Sequence, residues 1–114
     1  MQEDILQFQV NEEGNIAVVE FRGELELDSG RALKEQVEAL GDQFSTVILD
    51  LRLAICINSS GIGQLVSILR ACTLRERKLK LVNLSPAAMQ VMTLTKLNRV
   101  LSIYDSLDAA RSDS

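Results

Sequence analysis

The stretch Ile55-Cys56-Ile57-Asn58-Ser59-Ser60-Gly61-Ile62-Gly63-Gln64-Leu65 decides how this chain folds. An apolar run ends on small polar residues, and apolar side chains then recur at helical spacing through Ile62, Leu65, Val66, Leu69 and Cys72. A strand that breaks into a turn and opens directly into an amphipathic helix is the repeating unit of α/β folds. The turn also has a chemical consequence. A helix start gathers unpaired N–H groups and the positive end of the helix dipole, so a phosphate esterified to Ser59 or Ser60 would find donors nearby.

Working outward, Val47-Ile48-Leu49 is continuously apolar, as a central strand buried on both faces requires. Leu79 to Val82 reads as a further strand. Ser85-Pro86 supplies an N-cap with proline at the first helical position, ahead of Met89, Met92 and Leu97. Val100 to Tyr104 makes a last short strand, Asp105 can cap a final helix carrying Leu107 and Ala110, and Ser112-Asp113-Ser114 is expected to fray. Toward the N-terminus, Leu6, Phe8 and Val10 alternate with polar residues, and Asn11 to Asn15 form a turn cluster before Ile16 to Val19, which together read as a β-hairpin. Asp28 or Ser29 can cap a helix whose Leu33, Val37 and Leu40 fall on one face, with Gly41 at its stop. Strand and helix alternate from Thr46 onward, which predicts a parallel sheet with right-handed crossovers to which the hairpin adds antiparallel strands. Partners of such sheets gather at the carboxyl ends of the strands, where Asn58, Ser59 and Ser60 lie.

The composition narrows the chemistry. A chain of 114 residues, 46% hydrophobic, suits one domain over residues 1–114. Tryptophan is absent and aromatics are 4%, which favours a helix-on-sheet core of Leu, Ile, Val, Ala and Met. A net charge of −4 argues against a nucleic-acid partner, and the basic cluster from Arg70 to Lys80 reads as a solvated helix end. No apolar run approaches the ~20 residues of a membrane span, and Met1-Gln2-Glu3-Asp4 is acidic where a signal peptide would be basic, so a cytoplasmic protein is expected. Histidine is absent, which removes a Ser-His triad, an imidazole base and every His-containing metal site. Cys56 and Cys72 lack CxxC spacing and lie among apolar residues, so both read as buried small hydrophobes. Glu12-Glu13, Glu24-Glu26 and Glu35-Glu38 read as solvated faces rather than an acid and base pair. The expectation is a binding protein that is not an enzyme and needs no metal or cofactor.

Two readings of the turn remain open from the residues alone. Asn58, Ser59 and Ser60 can simply cap the helix, which is worth about 1 kcal/mol. Alternatively Gly61-Ile62-Gly63 opens a nucleotide-binding module, although Val66 stands where a third glycine belongs and no P-loop lysine follows.

Three motifs carry a family resemblance: Phe21-Arg22-Gly23-Glu24-Leu25-Glu26, then Asp50-Leu51 with Asn58-Ser59-Ser60-Gly61-Ile62-Gly63, then Asn83-Leu84-Ser85-Pro86-Ala87 followed by Leu97. In that order and spacing they resemble STAS domains, the bacterial family of anti-sigma factor antagonists. The resemblance implies a single-domain STAS-like α/β fold, a mixed β-sheet with helices packed largely on one face. It also implies a transcription regulator that binds an anti-sigma factor serine kinase, frees a sigma factor, and is released when that kinase phosphorylates it. By the same resemblance Ser59 is the phosphorylated residue, and Glu24, Glu26, Asn58, Ser59, Ser60, Gly61, Ile62 and Gly63 form the partner surface. A weak homodimer is compatible with it. Asn58 stands where the family usually has aspartate, so one carboxylate beside the acceptor hydroxyl is missing. Other STAS domains serve as adaptor subunits of membrane transport complexes, a further reading that the resemblance leaves open.

Overall fold

The computed structural model describes residues 7–113. Alternating polar and apolar residues make β1 (Phe8–Glu13), and a two-residue turn at Gly14 and Asn15 leads into β2 (Ile16–Leu25). Gly14 has φ +62°, a left-handed conformation that costs glycine little. The hairpin is in register from Phe8↔Phe21 to Glu13↔Ile16, while the contribution expected of Leu6 lies outside the described residues. β3 (Thr46–Ile57), β4 (Lys78–Val82) and β5 (Ser102–Tyr104) complete a five-stranded sheet in the order β1-β2-β3-β4-β5. β2 pairs parallel with β3, so the hairpin adds one antiparallel strand, β1, and not two.

The helices are α1 (Leu27–Glu38), α2 (Ser59–Leu74), α3 (Pro86–Leu94) and α4 (Leu107–Ser112). α1, α2 and α3 each join neighbouring parallel strands, so all three start at the carboxyl ends of the strands and run back against them. Strand alternation divides the core by face. On one face Ala17, Val19, Val47, Leu49 and Leu81 pack under Leu33, Val37, Leu65, Ile68 and Met92 from these three helices. On the other face Val18, Ile48 and Val82 are covered by Ala110 of α4. The architecture is therefore a mixed sheet with helices largely on one face.

Local chemistry departs from several expectations. The N-cap of α1 is Glu26; Ser29 is buried at the third helical position, accepting from the Glu26 N–H at 2.9 Å and donating to the Glu24 carbonyl at 2.7 Å. The cap of α4 is Ser106, whose Oγ accepts from the Ala109 N–H, and not Asp105. Ser85 caps α3 as the sequence implies. The basic cluster is only partly solvated. Arg77 is buried and donates to the carbonyls of Val37, Leu40 and Gly41, closing the C-terminus of α1. Lys80 is buried under α4, where its ammonium donates to the carbonyls of Ala110 and Asp113. Asp113 is consequently tied down instead of frayed, and its carboxylate also accepts from the Tyr104 hydroxyl.

β3 outruns its neighbour. Its ladder with β4 ends at Asp50↔Val82, while its pairing with β2 continues to Leu25↔Ile57 through two register shifts. Asp50 stands at that end point, buried, with Oδ1 accepting from the Arg52 N–H and the Asn83 side-chain amide, each at 3.0 Å. Beyond it the strand projects as an overhang. Cys56 lies there and is exposed, which corrects the expectation of two buried cysteines: the run is apolar, but β4 ends too early to shield it. Cys72 is buried in the core, and burial pushes its thiol pKa up.

Candidate functional site

The β3–α2 junction is built by one strong cap. Asn58 has extended backbone angles, and its Oδ1 accepts from the Gly61 N–H at 2.8 Å, satisfying one of the donors that every helix start leaves unpaired. The first intrahelical bond then runs from the Ile62 N–H to the Asn58 carbonyl at 3.0 Å. Ser59 is the first residue of α2, and both it and Ser60 are exposed. No group among the described residues is hydrogen-bonded to either hydroxyl.

Gly61 explains how closely the junction packs. It is buried, and a Cβ there would collide with the backbone carbonyl of Leu25. The Asn58 N–H reaches the same Leu25 carbonyl at 3.3 Å, so the start of α2 is fastened to the end of β2. This brings the β2–α1 segment beside the serine turn. Glu24 pairs in register with Cys56 one residue before β2 ends, Glu26 caps α1, and both are exposed. Ile62 is half-buried against the main core and so belongs partly to packing, while Gly63 is exposed with nothing within 4 Å of where its Cβ would be. The structure thus gathers Glu24, Glu26 and residues 58–63 at one end of the sheet.

Two apolar residues at this end were not anticipated. Leu27 opens α1 at 42% exposure, and Ile55 projects from the overhang at 78%. Ile55 also borders a shallow cavity of about 150 Å³ with Ile57, Ser85, Ala88 and Val91, between the overhang and the start of α3. The exposure of Ile55 follows from the strand lengths the structure reveals, since a strand of twelve residues cannot be covered by a neighbour of five.

Chemically, the helix start offers unpaired donors to an anion such as a phosphate. The Ser59 and Ser60 N–H groups have no intrahelical acceptor, by the geometry of a helix start, and α2 is sixteen residues long, so its dipole is fully developed at Ser59. Among the described residues no group of three or more Cys, Asp or Glu side chains is arranged to hold a metal ion, and no helix is long and apolar enough to cross a membrane.

A STAS domain family model matches residues 7–110. Among solved structures, an anti-sigma factor antagonist from Mycobacterium paratuberculosis is 23% identical with a TM-score of 0.79, over 92% of this chain and 90% of its own. The Bacillus cell fate determinant SpoIIAA in its phosphorylated form is 19% identical with a TM-score of 0.68, over 91% and 96%. A sulfate transporter family protein from Wolinella succinogenes is 18% identical with a TM-score of 0.74, over 82% and 80%. At these identities the likeness is one of fold.

Proposed function

The chain belongs to the STAS domain family, and on that premise we propose that it is a cytoplasmic anti-sigma factor antagonist whose switch is Ser59. The observation that carries the reading is the exposed Ser59 hydroxyl at the first position of α2, beside two acidic residues and two exposed apolar ones. Unphosphorylated, the surface formed by Glu24, Glu26 and Asn58 to Gly63 binds an anti-sigma factor serine kinase and displaces its sigma factor. Leu27 and Ile55 add the apolar contact that charged residues alone do not supply. In the switching step Ser59 Oγ attacks the γ-phosphorus of the kinase's ATP; the Oγ–P bond forms, the bond to the β-phosphate oxygen breaks, ADP leaves, and the hydroxyl proton passes to a base on the kinase. The product adds about −1.5 to −2 charge where helix donors receive it, so folding is preserved while the interface is broken by repulsion and desolvation.

The nucleotide-binding alternative is disfavoured by Gly61. Its missing side chain admits the Leu25 carbonyl and so makes no room for a pyrophosphate. Asn58 keeps the cap through its amide oxygen, so the departure from aspartate leaves the turn intact and removes only a charge.

The test incubates the wild type and three variants with ATP and each anti-sigma factor kinase of the source genome, and measures phosphate incorporation and affinity. Ser59→Ala should stay bound and unlabelled, Ser59→Asp should bind more weakly, and Asn58→Asp should be labelled faster. Full labelling of Ser59→Ala, or Ser59→Asp binding as tightly as Ser59→Ala, would sink the switch. Co-purification of the native protein with a permease in place of a kinase would support the transport-adaptor reading instead.

A further inference from the structure

Away from the switch, α1 and α2 border a groove of about 410 Å³ lined by Lys34, Glu38, Ser67, Arg70, Ala71, Leu74 and Arg75. Lys34, Arg70 and Arg75 line it with Glu38, and although Asp42 takes up Arg75, the other two cations outnumber the one lining carboxylate on a chain whose net charge is −4. Arg75 is held in place, donating to the Glu38 carbonyl at 2.8 Å and to Asp42 at 2.6 Å. Arg70 and Lys34 form no ion pair with any described residue. Glu38 is one turn beyond Lys34 on α1, the weaker order for a helical pair. Leu74, the last residue of α2, is 81% exposed at the rim, and Ala71 lies one turn before it.

We propose that this α1/α2 groove is a second docking site, separate from the Ser59 surface, for an acidic amphipathic peptide segment of a protein partner, with Arg70 and Lys34 pairing its carboxylates and Leu74 its apolar side. Charge complementarity selects that occupant. A peptide entering the groove senses the cations within about 8 Å, one Debye length, whereas an anionic membrane or nucleic acid spans the whole molecule and is repelled by its net negative charge. A second copy of the chain carries that same net charge. The two surfaces are independent because Ser59 and Arg70 are eleven residues apart on α2, about 16 Å at 1.5 Å per residue.

The test uses a fluorescein-labelled helical peptide with glutamates on one face and leucines on the other, and a control with lysine replacing glutamate. The full chain should bind the acidic peptide, with wild-type amide shifts concentrated in residues 34–38 and 67–75. Arg70→Glu and Lys34→Glu, each checked for folding by circular dichroism, should weaken binding at least tenfold, 300 mM salt should weaken it further, and Ser59→Asp should leave it unchanged. That last arm separates the groove from the switch, since the groove can succeed or fail whatever Ser59 does. No binding, equal binding of the lysine peptide, or shifts at residues 58–63 would overturn the proposal. So would self-association in sedimentation that Arg70→Glu abolishes, or binding to phosphatidylglycerol vesicles that the same reversals abolish, since either assigns the groove to another occupant.

Discussion

At the scale of the residue, the serine turn separates chemistry from stability. Leu65 is fully buried, so Leu65→Ala should cost about 2–5 kcal/mol, the range for a large core side chain cut to alanine. Asn58→Ala removes the cap and should cost about 1 kcal/mol, while Ser59→Ala touches no hydrogen bond and should cost less. Urea titrations of the three variants check the order, and equal midpoint shifts would count against it. Gly61→Ala should be worse than the cap variant despite alanine's better helix propensity, because α2 must back away from Leu25. The cysteines offer an independent check of the overhang. Cys56 should react with a thiol reagent in the native state and Cys72 only on unfolding, since one is exposed and the other is buried with a raised pKa.

At the scale of the element, the most consequential side chain is one that local sequence did not reveal. Arg77 belongs to a run rich in charge, yet it is buried as the C-terminal closure of a helix about forty residues earlier. Arg77→Met keeps its apolar stem and strands the carbonyls of Val37, Leu40 and Gly41, so it should cost on the order of 1–3 kcal/mol. Arg75→Met removes a more exposed contact and should cost less; comparable thermal shifts for the pair would refute the distinction. The same locality explains what was legible. Val47-Ile48-Leu49, the stripe on α2 and the Ser85 cap are written in neighbouring residues, and the alternation of strand and helix follows from them. The burial of Arg77 and Lys80 depends on carbonyls brought from α1 and α4, and the exposure of Cys56 depends on where β4 stops. Glu26 replaces Asp28 as a cap because β2 ends at Leu25, held by contacts to Gly61 and Asn58 in the next unit. Of the site, the turn itself was readable; the apolar flanks Leu27 and Ile55 were not, because their exposure depends on neighbouring elements.

At the scale of the molecule, α4 is where distant parts of the chain are joined. Arg111 donates to both carboxylate oxygens of Glu13, at 2.7 and 2.8 Å, and this hydrogen bonding holds the Glu13 carboxyl below its ordinary pKa of 4.5. A lowered carboxyl pKa means stability present above 4.5 and lost as pH falls through the lowered value. Tyr104 has the opposite sign: its hydrogen bond to Asp113 raises the phenol above 10.0, so that contribution holds below 10 and is lost as pH rises through the raised value. Denaturation midpoints against pH should therefore show a shallow acid arm that Glu13→Gln removes and an alkaline arm that Tyr104→Phe removes. Unaltered arms in these variants would contradict the assignment. The cover over Val18, Ile48 and Val82 has a kinetic consequence as well. Six residues are too few to remain helical alone, so α4 must form by docking, and its tie to Glu13 spans 98 residues of chain. It is therefore expected to dock last and to come away first. Native-state hydrogen exchange should find the α4 amides opening together at a lower free energy than those of β3, and Arg111→Ala should speed unfolding while leaving the folding rate unchanged.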